Sequence, residues 1–139
     1  MKNTGPLACV KVIEMGQLIA GPFCGKIMAE FGAEVIKIEP PATADSEGGD
    51  PLGTWRQMHN GTSLWGSLQA LNKKSVAVNL RVKEGQEIIR KLAKDADILI
   101  ENFRPGALEK WNLGWEQLSA INPKLIMVRL SGYGQSGPY

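Results

Sequence analysis

The sequence predicts an α/β protein built on an open, doubly wound parallel sheet, and three observations predict it. Short β-branched runs of strand length alternate with stretches of helical period. The first of these runs is almost continuously apolar, as in a strand covered on both faces. A strand, helix, strand unit at Val10–Glu39 implies a right-handed crossover between parallel neighbours.

In chain order, Met1–Cys9 reads as a lead-in. Val10–Met15 is the first strand, broken by Gly16. A helix begins around Gly21 and Pro22, because proline suits a first-turn position whose N–H has no partner. Phe23, Ile27, Met28 and Phe31 form its expected buried stripe, and Gly32 its left-handed stop. Val35, Ile36 and Ile38 carry the second strand. Pro40–Asn60, rich in Pro, Gly and Asp, shows neither period and is expected to be a long loop. Thr62–Leu71 is a short helix with Leu64, Trp65, Leu68 and Leu71 on one side, ending in a polar turn at Asn72–Ser75. Val76–Leu80 is the third strand. Glu84–Lys94 is a helix with Ile88, Leu92 and Ala93 as its apolar stripe and cations near its C-terminus. Ile98–Glu101 is the fourth strand, followed by the turn Asn102–Gly106 and helices at Ala107–Trp111 and Trp115–Ile121. Asn122-Pro123 ends the latter before a fifth strand at Leu125–Leu130.

Composition bounds the function. The 139 residues suit one domain, and 43% hydrophobic and 22% charged residues argue against disorder. A net charge of +2 is too small to indicate a nucleic-acid partner. Cys9 and Cys24 are too few for a disulfide framework and, with the single His59, show no metal spacing, so a reducing, cytoplasmic setting is expected. No apolar run reaches the roughly 20 residues of a membrane span, and the N-terminus lacks signal-peptide regions. No membrane partner or export is expected.

Ligands of such sheets collect beyond the carboxyl ends of the strands. The loops there are Gly16–Gly21, Glu39–Asn60, Asn102–Gly106 and Ser131–Tyr139. Gly16 and Gly21 do not make a GxGxxG fingerprint, since Leu18 and Ile19 stand where it needs a glycine and open space. Glu39 alone imitates the acid that holds an NAD ribose, which leaves nicotinamide binding a poor reading. Lys73 and Lys74, Arg104, Lys110 and Arg56 read singly as solvated charge. Grouped by topology they suggest a site for a nucleotide bearing several phosphates. Trp111, Trp115 and Tyr133 are candidates for packing or for stacking on a base.

Five blocks then carry a family resemblance: VIEMGQLIAGPFCG (12–25), GAEVIKIEPP (32–41), NKKSVAVNL (72–80), ADILIENFRPGALEKWNLGWEQL (96–118) and NPKLIMVRLSGYGQSGPY (122–139). In this order and spacing they resemble the N-terminal part of the family III CoA-transferases, a superfamily that includes formyl-CoA and carnitine CoA-transferases and α-methylacyl-CoA racemases. The resemblance implies a Rossmann-like CoA-binding domain over residues 1–139. It also implies coenzyme A contacts at Leu18, Ile19, Asn72, Lys73, Lys74, Asn102, Phe103, Arg104, Ala107 and Lys110. Pro40 stands where relatives often have a basic residue after the second strand. No metal is expected.

In the transferases of this family an aspartate attacks the thioester, forms an anhydride and then an enzyme-CoA thioester, and passes CoA to an acceptor carboxylic acid. The resemblance places that aspartate after the segment matching Ser131–Pro138, and Asp45, Asp50, Asp95 and Asp97 do not match it. The expectation is therefore an acyl-CoA:carboxylate CoA-transferase, homodimeric and interlocked at full length, whose 139-residue part is inactive alone. An α-methylacyl-CoA racemase and a non-catalytic CoA-binding module stay open as alternatives.

Overall fold

The computed structural model describes residues 4–138. Its strands are β1 (Lys11–Glu14), β2 (Glu34–Glu39), the pair β3 (Met58–His59) and β4 (Thr62–Ser63), β5 (Lys73–Ala77), β6 (Ile98–Glu101) and β7 (Ile126–Arg129). Its α-helices are α1 (Ala20–Glu30), α2 (Leu64–Gln69), α3 (Lys83–Ala93), α4 (Ala107–Lys110) and α5 (Trp115–Ile121). The main sheet runs β5-β2-β1-β6-β7, every neighbour parallel. From β1 the chain winds outward through β2 to β5, then returns to place β6 on the other side of β1. The strand order therefore reverses between β1 and β6, where a crevice opens at the carboxyl ends.

Alternation along the strands divides the core in two. Val12, Val35 and Ile100 meet Ala29 and Ala33 on the α1 side. Ile13, Met15, Ile38 and Leu99 meet Ile89, Ala93, Leu108, Leu113 and Leu118 on the α3 and α5 side. Among the described residues no helix is long and apolar enough to cross a membrane.

Several elements depart from the sequence reading. Of the stripe expected on α1, Phe23, Ile27 and Phe31 face outward, the two Phe each 52% exposed, while Met28 packs half-buried against the core and the helix buries Gly21, Pro22, Gly25 and Ala29. Small residues let α1 lie close over β1. Leu64, Trp65 and Leu68 of α2, and Leu71 just beyond it, are likewise exposed. On α3, Ile89 rather than Ile88 is buried, because Ile89 lies on the face it shares with buried Ala93 four residues on. The long loop contains a 3-10 turn at Pro51–Thr54 and the antiparallel pair β3–β4. The polar turn expected at Asn72–Ser75 is instead largely strand, because β5 begins at Lys73. Among the described residues it is an edge strand that pairs only with β2, so Lys and Ser are tolerated on its faces.

Candidate functional site: the carboxyl rim and its buried ion chain

At the reversal point, the loops after β1 and β6 are tied together by one side chain. Asn102 accepts the Gln17 N–H at Oδ1 (2.7 Å) and donates from Nδ2 to the Gln17 carbonyl (2.9 Å). The loop beneath is tight. A Cβ on Gly16 would stand 2.6 Å from the Gly21 Cα, so Gly16 permits this contact only by lacking a side chain. Leu18 takes a left-handed φ of 61° and, like Ile19, is exposed at the rim.

The β6 side is fixed from below. Glu101, 1% exposed, accepts the Phe103 N–H (2.7 Å) and pairs with Arg129 (2.7 Å), which also holds Glu109 of α4 (2.7 Å). The bond from Arg129 pulls the Glu109 carboxyl below its usual range. Burial opposes the Arg129 charge, but the bonds to Glu109 and Glu101 outweigh it and raise its pKa. The Phe103 ring meets Trp111 edge to face at 5.4 Å, which seats Phe103 against the core. Arg104 is exposed just beyond, Gly106 turns the chain with φ 82°, and α4 runs from Ala107 to Lys110 with Lys110 exposed. Leu18, Ile19, Asn102, Phe103, Arg104, Ala107 and Lys110 thus share the carboxyl rim around the reversal point.

Asn72, Lys73 and Lys74 do not join them. In register Lys73 lies beside Val35 and Lys74 beside Ile36, at the amino end of the sheet. Asn72 donates to the Ala29 carbonyl near the end of α1 (2.7 Å). The Lys74 ammonium is paired with Glu34 at 2.5 Å. Lys73 points to the opposite face from Lys74 and runs inward to the Pro22 carbonyl (2.7 Å) and Glu14 (2.6 Å). The expected grouping of cations therefore divides, with Arg104 and Lys110 exposed at the rim, the Lys73 ammonium buried against Glu14 at the carboxyl end of β1, and Lys74 paired with Glu34 at the amino end of β2. Arg56 lies over the Trp55 ring, 4.5 Å from its centroid.

Because β5 starts and ends three residues earlier than expected, its carboxyl-end loop is Val78–Val82, which holds an exposed Arg81. The sequence hides Arg81 for that reason alone, because the displacement of β5 brings a different loop to its carboxyl end. Glu14 and Lys37 were also missed. Both sit inside apolar runs, and a charge in a strand buried on both faces must find a partner there.

Those partners form a chain of buried ions. Glu14 is fully buried, with Oε1 3.0 Å from the Lys37 ammonium and Oε2 2.6 Å from that of Lys73. Lys37 continues to Asp50 (2.6 Å) and to the Gly16 carbonyl. Burial pushes the Lys73 pKa down, and the Glu14 charge opposes that shift. Beside it, burial and then the Glu14 charge raise the Cys24 thiol pKa, which makes Cys24 a poor thiolate. A cavity of about 840 Å³ adjoins this chain on the β2–β5 side, with Lys37, Glu39, Asp50, Lys73 and Ser75 in its wall.

Comparison with known proteins gives this geometry a family. The description of CoA-transferase family III matches residues 7–139. The succinyl-CoA–D-citramalate CoA-transferase of Chloroflexus aurantiacus is 53% identical over 96% of this chain and 32% of its own length. The human succinyl-CoA:glutarate CoA-transferase is 40% identical over 99% of the chain and 31% of its own length. A crystal structure of a CAIB/BAIF family protein from Brucella suis superposes with a TM-score of 0.87 at 37% identity, covering 99% of this chain and 36% of that one. The chain spans about a third of the length of the curated relatives it matches. From one end of its sheet to the other, the chain belongs to the family III CoA-transferases.

Proposed function

We propose that the chain is the nucleotide-gripping part of an acyl-CoA:carboxylate CoA-transferase, with succinyl-CoA as donor and a dicarboxylic acid as acceptor. The observation that carries this reading is the Asn102 bridge between the loops after β1 and β6, at the point where strand order reverses. It holds two backbone segments at a spacing suited to a ligand lying across both. Exposed Arg104, Lys110 and Arg81 supply cations around that rim for the phosphates of coenzyme A, Arg as a planar fork and Lys as a point charge. Asn72 and Lys73 serve the same site indirectly, by fixing β5 against α1 and Glu14.

In the proposed reaction a carboxylate attacks the donor thioester carbonyl, expels CoA as its thiolate and leaves a mixed anhydride. The thiolate returns to the enzyme's acyl carbon, releasing the donor acid, and the acceptor carboxylate then repeats the exchange in reverse. The family resemblance assigns the nucleophile to an aspartate after the segment matching Ser131–Pro138. Asp50 does not suit the role, since its carboxylate is held by Lys37, Leu18 and Leu52. The names of the relatives favour transfer over isomerisation and favour dicarboxylates as partners.

The test is a mass-spectrometric transfer assay on the protein encoded by the whole gene, with succinyl-CoA and a panel of dicarboxylic acids. The expected result is a new acyl-CoA and free succinate in equal amounts, and no transfer by the 139-residue segment alone. Epimerisation of a 2-methylacyl-CoA without any transfer, or turnover by the isolated segment, would overturn the reading.

A further inference from the structure

We infer that Asp50 is a positioning residue for the coenzyme A site, holding the Gly16–Ile19 loop in its binding shape from a different loop. This rests on the reading that the β1–β6 rim takes the coenzyme. Leu18 is a non-glycine residue in the left-handed region, which such residues adopt only a few per cent of the time. Its amide N–H is donated to Asp50 Oδ1 at 2.9 Å, across 32 residues of sequence. The other oxygen, Oδ2, receives the Lys37 ammonium at 2.6 Å, and that same ammonium donates to the Gly16 carbonyl. Asp50 and Lys37 together therefore hold both flanks of Gln17, the residue that Asn102 grips from the β6 side.

The Asp50 side chain is itself prepared for this task. Only 8% of it is exposed, and its Oδ1 also accepts the Leu52 N–H. Its backbone N–H is donated to Glu39 Oε1 at 3.0 Å. Gly48 and Gly49, at φ 74° and 78°, turn the chain just before it, and the Gly49 N–H closes that turn on the Pro40 carbonyl at 2.8 Å. The charged groups around Asp50 are Lys37, Glu39, Glu14 and Lys73, all of them engaged with one another or with backbone. A spare cation for binding a ligand directly is not what this cluster offers. What it does is transmit the docked position of the long loop to the rim. When the pin is lost, Leu18 relaxes out of the left-handed region, and the binding-competent fraction falls with it.

The experiment measures the CoA dissociation constant calorimetrically and the acyl-CoA KM and kcat, on the protein encoded by the whole gene. Asp50→Ala is expected to weaken CoA binding about tenfold. KM should rise in step while kcat stays within about twofold. Asp45→Ala, an exposed change in the same loop, should leave binding unaltered. In the Asp50→Ala background, Leu18→Gly should restore affinity to near that of Leu18→Gly alone, because glycine takes a positive φ unaided. Asp50→Asn keeps an acceptor for the Leu18 N–H but loses the ion pair, so it should fall between wild type and Asp50→Ala. It carries the test if the alanine variant fails to unfold cooperatively. Wild-type affinity in both Asp50 variants would overturn the inference, as would the same loss in the Leu18→Gly background as in wild type. Absence of CoA binding by the wild type would instead overturn the underlying reading of the rim.

Discussion

Gly25 has no side chain because Glu14 needs the space. A Cβ there would overlap Glu14 Oε2, and that oxygen is held in place by Lys73. A buried carboxylate between two ammoniums is tolerated only while all three ions are present, since removing one leaves uncompensated charge in a poorly solvated interior. Glu14→Ala is therefore expected to destabilise by about 3–5 kcal/mol. Gly25→Ala should cost about 1–3 kcal/mol through overpacking. Denaturant unfolding monitored by circular dichroism checks both, and a Glu14→Ala variant as stable as wild type would refute the account of the ion chain. None of this is legible as a site in the sequence. Glu14 and Lys37 read as interruptions of apolar runs, and only three-dimensional register shows that they face each other.

At the level of elements, the pin between β7 and α4 makes a prediction about acid. Arg129 holds Glu109, whose folded pKa lies below the 4.5 of a free glutamate, mainly through that bond. The unfolded chain therefore binds the proton first as pH falls. The stabilisation is present above about 4.5 and is lost as pH drops through the lower folded value. Wild type should lose its excess stability over Glu109→Gln across that window, as read from unfolding midpoints at stepped pH. A constant difference between the two proteins from about pH 6 to about pH 3 would contradict the pin.

Elements also show where sequence patterns mislead. The Phe23, Ile27 and Phe31 spacing gives a clear helical stripe, and a helix forms there, but its inner face is made of glycine, proline and alanine. Periodicity identifies an apolar face without saying what covers it. The start of β5 was obscured for a different reason. Lys73, Lys74 and Ser75 look like a turn, yet backbone pairing with β2 makes them strand, and the three-residue displacement puts the lysines' backbone at the amino end of the sheet, from which Lys73 reaches back to Glu14 and Lys74 turns to Glu34.

For the molecule as a whole, the parallel α/β architecture and the succession of elements were readable because β-branched runs and helical spacing agree along most of the chain. β6 and α5 fall at the residues expected, Ile98–Glu101 and Trp115–Ile121. Strand order was readable only as a class, and the Asn102 bridge at its reversal point depends on contacts 85 residues apart. The loops around that bridge form a single rim, while the ion chain from Lys73 to Asp50 fixes one of them from inside.

The central claim, that this rim grips coenzyme A, is tested most directly by calorimetric titration of CoA into the protein encoded by the whole gene, with Asn102→Ala and Lys74→Ala as paired variants. Loss of the two Asn102 bonds, each worth about 1 kcal/mol, should weaken binding about tenfold or more, while Lys74→Ala should stay within about twofold of wild type. Equal affinity in wild type and Asn102→Ala, or a larger loss in Lys74→Ala, would contradict it.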